Sequence, residues 1–213
     1  MASPTKWNID DKFTFLSVSS DGLEVTYVGP GEKADSAAIR ADLPILPQCG
    51  LFYFEINILD KGDNGEIGIG FCAKTVNLNR MPGWENNSWG YHGDDGNFYC
   101  CSGTGKSYGP LFTTGDTIGC CLNFRYKVAF YTKNGVHLGI AFQDLEGELY
   151  PCVGMRSRGG SMKVNFGHEK FKYTAINDDD ISDKLLKEKW IKAINQCNDE
   201  LEFSIKDDNF CTC

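Results

Sequence analysis

A glycine-rich stretch near the middle of the chain contains residue types that bind phosphate in other proteins. Residues 103–107 read Gly-Thr-Gly-Lys-Ser, which resembles the end of a phosphate-binding loop. The first glycine of that motif would fall at Cys100, and Tyr-Gly-Pro follows at residues 108–110, where the mechanism needs a helix N-terminus pointing at the phosphate. We therefore predict a glycine-rich loop and no nucleotide binding.

Two acidic stretches are further candidates for chemistry. The first, at residues 60–66, resembles a calcium-binding loop. However, Gly62 offers no side-chain oxygen, and Phe71 occupies the position of the bidentate glutamate. In the second, His92 lies two residues before a pair of aspartates, an arrangement suited to proton transfer, yet no serine or cysteine nucleophile accompanies it. We predict no metal site, no cofactor and no enzymatic activity.

The ten cysteines fit neither a disulfide framework nor a zinc site. Two pairs, Cys100-Cys101 and Cys120-Cys121, are adjacent, and adjacent side chains on a strand point to opposite faces of its sheet. The spacing C-x-x-C never occurs, and the three histidines are scattered. We predict reduced cysteines in or near strands, with a partial disulfide set as the alternative. They are Cys49, Cys72, Cys120, Cys121 and Cys152.

The charge and composition of the chain disfavour several classes of partner. The formal net charge is -8, and lysines and arginines form no continuous block, so little electrostatic field attracts nucleic acid or anionic lipid. No stretch approaches the roughly 20 apolar residues of a membrane span, and the N-terminal residues lack the apolar core of a signal peptide. We expect a cytoplasmic or nuclear protein, with a secreted effector as the alternative.

Residues 83–110 are rich in aromatic side chains, glycine and asparagine. Large rigid rings beside flexible polar loops are typical of recognition surfaces, because the rings supply contact area at low entropic cost. The alternative is that the rings fill the core, which suits Trp89 and Phe98 best. Trp84, Tyr99 and Tyr108 are the candidates for binding.

Strands must position these residues, because short β-branched and aromatic runs alternate with turn residues along most of the chain. The runs predict eleven strands, at residues 13–18, 23–28, 51–59, 65–73, 89–92, 97–101, 117–123, 128–132, 137–142, 149–155 and 162–166. Asn134-Gly135 predicts a tight hairpin, since both central residues of a type I′ turn need a positive φ. No strand-helix-strand alternation occurs, so we predict an all-β sandwich of antiparallel sheets.

The C-terminal part of the chain has a different pattern. Apolar residues recur at helical spacing from Ile181 to Cys197, which predicts an amphipathic helix. The helix either docks on the sandwich or binds a partner or a second copy. We expect residues 199–213 to form an acidic tail.

Eight stretches of the sequence carry a resemblance to a known family: IRADLPILPQCGLFYFEI at 39–56, GIGFCAKTVNLNRMPGW at 68–84, SWGYHGDDG at 88–96, FTTGDTIGCC at 112–121, FYTKNG at 130–135, LGIAF at 138–142, LYPCVG at 149–154 and NFG at 165–167. These stretches closely resemble the SPRY domain of the Ran-binding-protein-M family. The resemblance covers about residues 37–173.

The resemblance implies a bent sandwich of two antiparallel sheets of the SPRY/B30.2 type, with peptide-binding loops at one end. It divides the chain into N-terminal strands and a lead-in (1–36), the SPRY core (37–175), and the helix with its tail (176–213). It assigns the pocket tyrosine to Tyr99, the pocket wall to Arg156, Ser157 and Arg158, and an early arginine to Arg40. One peptide-gripping branch has a bulky apolar pair where this chain has Arg156-Ser157.

Together, these features predict a stand-alone, monomeric module that binds a short segment of a partner protein. Such a module acts as an adaptor, a competitor or an effector. The predicted binding residues are Tyr99, Arg156, Ser157, Arg158, Arg40, Tyr108 and Trp84. The alternative function is a structural or self-assembling protein that uses the C-terminal helix.

Overall fold

The structure is a computed structural model that describes residues 3–30 and 36–174, and these residues form two antiparallel sheets. The strands in chain order are β1 (Trp7–Lys12), β2 (Leu16–Val18), β3 (Glu24–Tyr27), β4 (Ala37–Ala41), β5 (Leu51–Asp60), β6 (Ile67–Cys72), β7 (Ser88–His92), β8 (Asn97–Cys100), β9 (Lys106–Ser107), β10 (Thr117–Asn123), β11 (Val128–Lys133), β12 (Val136–Gln143), β13 (Tyr150–Met155) and β14 (Ser161–Asn165). A short 3-10 helix, Pro47–Cys49, precedes β5. The predicted all-β fold class is confirmed.

Each sheet has seven strands. The first sheet has the order β1-β4-β13-β6-β7-β8-β9, and the second has the order β12-β11-β10-β5-β14-β3-β2. One hydrophobic core fills the space between them, where Phe54 of β5 meets Phe71 of β6 edge to face at 5.9 Å. Alternation along each strand sends every second side chain into this core.

The eleven predicted strands are all present, with ends shifted by a few residues at most. Asn134 and Gly135 have φ values of 51° and 81°, as the hairpin prediction requires. Three strands were missed: β1, β4 and β9. The sequence of β1 is mostly polar, β4 is rich in alanine, and β9 has two residues, so none shows the apolar alternation on which the prediction depends.

The outer face of the second sheet is covered by the chain that follows β14. Glu55 on β5 is buried, and its carboxylate accepts hydrogen bonds from the backbone N–H groups of Lys172 and Tyr173, each at 3.0 Å. Tyr53 packs edge to face on Phe171 at 5.0 Å. The polar face of β5 is therefore buried as well as its apolar face.

The outer face of the first sheet carries small residues and is covered by a loop. Strand alternation places Gly68, Gly70 and Cys72 of β6, Gly90 of β7, and Cys152 and Gly154 of β13 on this face, because their sequence neighbours lie in the core. The covering loop, residues 73–87, connects β6 to β7 and is anchored to β4 by the bond from Ala38 N to Leu78 O, at 2.7 Å. These small residues leave room for the loop to lie close to the sheet.

Two further predictions concern the cysteines and the C-terminal helix. No disulfide joins the seven cysteines that lie within the described ranges, and Cys72, Cys120, Cys121 and Cys152 are buried. The predicted helix at 181–197 and the acidic tail lie outside the described residues. Within the described part of the chain, no helix is long and apolar enough to span a membrane.

Candidate functional site

Pro82 fixes the covering loop against a row of glycines. A Cβ atom on Gly154 would lie 2.5 Å from Cδ of Pro82, and one on Gly90 would lie 2.4 Å from the Pro82 carbonyl oxygen. A Cβ on Gly68 would also be close, at 3.1 Å from Cδ of Pro82. Side chains at these three positions would displace the loop, so the glycines are what allow it to lie flat.

Hydrogen bonds hold Pro82 and Gly83 of the loop in place. The ring nitrogen Nε2 of His92 bonds to the Pro82 carbonyl oxygen at 2.8 Å, and the backbone N–H of Gly83 donates to the Ser88 hydroxyl at 2.7 Å. Gly83 has a φ of +92°, in the region that favours glycine. The side chain of Trp84, which follows, therefore has a defined position above the sheet.

Three rings from different elements meet above the first sheet, and we call them the aromatic cluster: Trp84, His92 and Tyr99. The rings of His92 and Tyr99 lie nearly parallel, with centroids 4.2 Å apart and an interplanar angle of 31°. The Trp84 ring is 6.1 Å from His92 and 6.3 Å from Tyr99. His92 is buried, whereas Trp84 and Tyr99 are half-buried.

Two arginines approach the Trp84 ring. The guanidinium carbon of Arg156 lies 5.1 Å from the ring centroid, and that of Arg80 lies 5.6 Å from it, both within cation–π range. The indole nitrogen Nε1 of Trp84 is buried and has no hydrogen-bond partner among the described residues. Such a donor costs about 1–3 kcal/mol when it is left unsatisfied in the absence of water. Trp84 therefore offers the exposed part of a flat ring to an incoming group, while its indole N–H stays enclosed by the domain.

Carboxylates orient the polar groups around the aromatic cluster. Nη2 of Arg156 pairs with Oε1 of Glu66 at 2.6 Å, and the Tyr99 hydroxyl donates to Oδ2 of Asp95 at 2.6 Å. Burial and the bond to Asp95 raise the pKa of Tyr99 to about 12, so the hydroxyl keeps its proton at neutral pH. Desolvation and the charge of Asp95 raise the pKa of Asp94 to about 6.

His92 is a structural member of this site. Its side chain is 2% exposed. Desolvation lowers its pKa to about 4, although the bond to Pro82 acts in the opposite direction. A neutral ring that is already bonded to a backbone carbonyl and packed against the Tyr99 ring orients the loop rather than transferring protons. Among the described residues, no group of histidine, cysteine and carboxylate side chains could hold a metal ion.

The structure brings three of the seven predicted binding residues together, namely Trp84, Tyr99 and Arg156. Ser157 is buried and instead fixes the loop between β5 and β6: its hydroxyl accepts from Asn64 N and Gly65 N and donates to Lys61 O. A polar side chain with 0% exposure cannot contact a ligand from its present position.

The other predicted residues have separate surroundings. Arg158 is exposed and lines a different hollow beside Tyr27 and Gly29. Tyr108 packs edge to face on Tyr91 at 5.3 Å, and its hydroxyl donates to Gly139 O at 2.6 Å. These contacts place Tyr108 at the edge of the core between the sheets.

Arg40 does not line an open pocket in this structure. It is 4% exposed, and its guanidinium forms a two-point ion pair with Asp11 at 2.9 and 3.1 Å. Its Nη1 also donates to the carbonyl oxygens of Ala73 and Val76 at 3.3 and 2.8 Å. Arg40 therefore anchors the start of the covering loop.

Sequence reasoning missed several residues that build the site: Arg80, Pro82, His92 as a stacking partner, Glu66 and Asp95. The sequence did contain one usable signal. Gly68 and Gly70 alternate along β6, which indicates that something lies close against one face of that strand. The pattern does not say which segment approaches, because that contact joins residues far apart in the chain.

Comparison with known proteins identifies the family and the relatives to which this chain is similar. The family described as the SPRY domain matches residues 51–169. A Ran-binding proteins 9/10 homolog of Drosophila melanogaster is 51% identical over 176 residues, which is 82% of this chain and 18% of that protein. Ran-binding protein 9 of Homo sapiens is 51% identical over 79% of this chain and 23% of that protein. A Ran-binding protein M homolog of Arabidopsis thaliana is 40% identical over 80% of this chain and 37% of that protein.

Solved structures with the same fold include a human SPRY domain, with a TM-score of 0.66 and 29% sequence identity. The match covers 74% of this chain and 98% of that domain. The SPRY domain of human HERC1 has a TM-score of 0.65 at 22% identity, over 77% of this chain and 99% of that one. The chain thus spans a whole SPRY domain, and between 18% and 37% of the length of the three curated relatives described above.

Proposed function

The chain belongs to the SPRY-domain family, and from this premise we propose that it binds a short segment of a partner protein at the aromatic cluster. The observation that carries the proposal is Trp84, whose half-buried ring lies beside two arginines. Tryptophan, tyrosine and arginine are the residues that dominate binding energy in protein interfaces.

The chemistry of the site favours a peptide with an apolar side chain beside a hydrogen-bond acceptor. The apolar group packs on the exposed part of the Trp84 ring. Arg80 is exposed and lies beside the same ring, so it can donate to a carbonyl or carboxylate oxygen of the peptide. Arg156 is already paired with Glu66, so it contributes its planar surface more than its charge.

This function is recognition without catalysis, as in an adaptor, a competitor or an effector. His92 has the only imidazole in the aromatic cluster, and burial keeps it neutral with its Nε2 bonded to Pro82. We further propose that the domain is monomeric and acts inside the cell, in the cytoplasm or the nucleus.

The test is selection of ligands from a random-peptide display library on the immobilised domain, followed by calorimetric titration of the peptides recovered. We expect Trp84→Ala to weaken binding by about 2 kcal/mol, roughly thirtyfold in affinity, because a tryptophan anchor is lost. Tyr99→Phe should weaken it less, since the ring remains.

The matched control is Arg125→Ala. Arg125 is exposed and lies beside Gly50, next to the first residue of β5. The site lies near the other end of this ten-residue strand, where Ser157 bonds to Lys61. Arg125 is therefore far from the site. This substitution should leave affinity unchanged, while Arg156→Ala should reduce it. If Trp84→Ala retains the fold and binds the selected peptides as the unsubstituted domain does, the proposed site is wrong.

A further inference from the structure

Two thiols meet under the covering loop, on the outer face of the first sheet. Cys72 ends β6 and Cys152 lies on the neighbouring strand β13, and each is 1% exposed. Cys72 is opposite Tyr150 in the strand register, and Cys152 is opposite Gly70, so the two cysteines are diagonal neighbours on one face. They pack with Val76 of the loop in a small cluster separate from the main core.

A buried arginine faces one of the two sulfurs. Nη1 of Arg40 lies 3.8 Å from Sγ of Cys72, and the neighbouring Cys152 thiol also acts on the pKa of this sulfur. Cys152 lowers the pKa of Cys72, and Arg40 lowers it further against the opposing effect of burial. Burial instead raises the pKa of Cys152, which therefore keeps its proton. The surroundings of Cys72 therefore favour its thiolate, whereas those of Cys152 favour its protonated thiol.

A small cavity lies beside this pair. Its lining includes Cys72, Cys152 and Ser88, together with Asn77 and Arg80 of the covering loop, which are exposed residues. The cavity has a volume of about 10 Å³, which is close to the space of one water molecule. This size excludes a disulfide such as oxidised glutathione and favours the smallest oxidants, such as hydrogen peroxide.

We propose that Cys72 is a site of oxidation by hydrogen peroxide, with Arg40 and Cys152 as positioning residues. The Cys72 thiolate attacks one peroxide oxygen and the O–O bond breaks, giving a sulfenic acid on Cys72 and hydroxide. The hydroxide takes up the proton that Cys72 released on ionising and leaves as water. The sulfur loses two electrons to the peroxide.

The sulfenic acid, rather than a disulfide to Cys152, is the product expected to accumulate. Diagonal neighbours in an antiparallel pair have Cα atoms about 7–8 Å apart, and the corresponding Cβ atoms are only somewhat closer. A disulfide needs its Cβ atoms about 3.5–4.5 Å apart. Closing that gap would require the register of β6 and β13 to shift, which the flanking hydrogen bonds oppose.

The test treats the folded protein with limiting hydrogen peroxide and then unfolds it in dimedone, which labels sulfenic acids, together with excess alkylating agent. Mass spectrometry then reports the label at each cysteine. Cys120 is the control within the same molecule, because it is as buried as Cys72 but burial raises its pKa. We expect Cys72 to be labelled at least about tenfold faster than Cys120.

A pair of variants tests the part played by Cys152. Cys152→Ala removes the donor and should slow labelling of Cys72, whereas Cys152→Ser keeps a hydroxyl donor and should restore it. If the alanine variant does not fold, the comparison of Cys72 with Cys120 in the unsubstituted protein still decides. Equal labelling of Cys72 and Cys120, or a disulfide joining Cys72 to Cys152, would overturn the proposal. None of these measurements depends on the proposed peptide site.

Discussion

Among single residues, His92 shows most clearly how burial determines what a polar side chain does. The sequence places it beside two aspartates, which is compatible with acid-base chemistry. In the folded domain it is enclosed between the Tyr99 ring and the Pro82 carbonyl, so its neutral form is strongly favoured. Its protonation is therefore linked to the stability of the fold.

This linkage gives a prediction for the pH dependence of stability. His92 has a pKa of about 4 in the folded state and about 6.5 when unfolded. Between these values the unfolded chain binds a proton that the folded chain does not, so stability is lost as the pH falls through this window. The full loss from this residue is on the order of 3 kcal/mol.

The contribution of His92 between about pH 7 and about pH 5 is of the order of 2 kcal/mol, and it is measured as the difference between denaturant unfolding of the unsubstituted domain and of His92→Gln. The difference removes the contribution of Asp94, whose raised pKa of about 6 has the opposite effect on stability over the same interval. His92→Gln keeps a donor for the Pro82 carbonyl but cannot take up the proton. His168→Gln, at an exposed position, is the control. The same pH dependence in His92→Gln and in the unsubstituted domain would refute this account of His92.

Ser157 gives a second prediction for a single residue, because the resemblance to peptide-binding relatives suggested a ligand contact and the structure shows an internal one. Its hydroxyl bonds to three backbone groups of the loop between β5 and β6 and is fully buried. Ser157→Ala should therefore reduce the free energy of unfolding by about 1–3 kcal/mol. Urea unfolding measures this, with the exposed Ser17→Ala as control; a change below about 0.5 kcal/mol would contradict the assignment.

Among the elements, the covering loop is the one that determines where the aromatic cluster lies. The strands could be predicted because apolar alternation is a local property of each segment. The loop could not, because residues 73–87 show no periodicity and their position depends on glycines in three separate strands. The same holds for Arg40, whose anchoring role depends on Asp11 and on loop carbonyls distant in sequence.

Packing of the loop against the glycine row predicts a large difference between two glycine substitutions. Gly154→Ala places a methyl group 2.5 Å from the rigid Pro82 ring, so we expect about 1–3 kcal/mol of destabilisation and weaker peptide binding. Gly103→Ala is the matched control, because no atom lies within 4 Å of its added Cβ. Thermal melts and peptide titrations compare the two variants. A Gly154→Ala domain as stable as Gly103→Ala would show that the loop does not pack on β13 as described.

On the scale of the whole domain, the residues near the aromatic cluster come from loops and strands that the fold brings together on the outer face of the first sheet. The loop between β5 and β6 supplies Glu66, the segment after β13 supplies Arg156, and β8 supplies Tyr99. Sequence alone named Trp84, Tyr99 and Arg156 as candidates, partly through family resemblance. It did not separate them from Arg40, Ser157 and Tyr108, because burial in the folded domain distinguishes the two groups.

The central claim is that Trp84 contacts the partner segment directly, and its indole N–H can be observed by heteronuclear NMR. A peptide recovered by selection is titrated into the labelled domain, and the tryptophan indole signals are assigned with Trp84→Phe. We predict that the Trp84 indole signal shifts progressively to saturation, because the bound peptide packs on the exposed part of this ring. The indole signal of Trp7, which is also buried without a described partner but lies on the edge strand β1, should not move. A peptide that saturates the domain while the Trp84 indole signal stays in place would contradict the account.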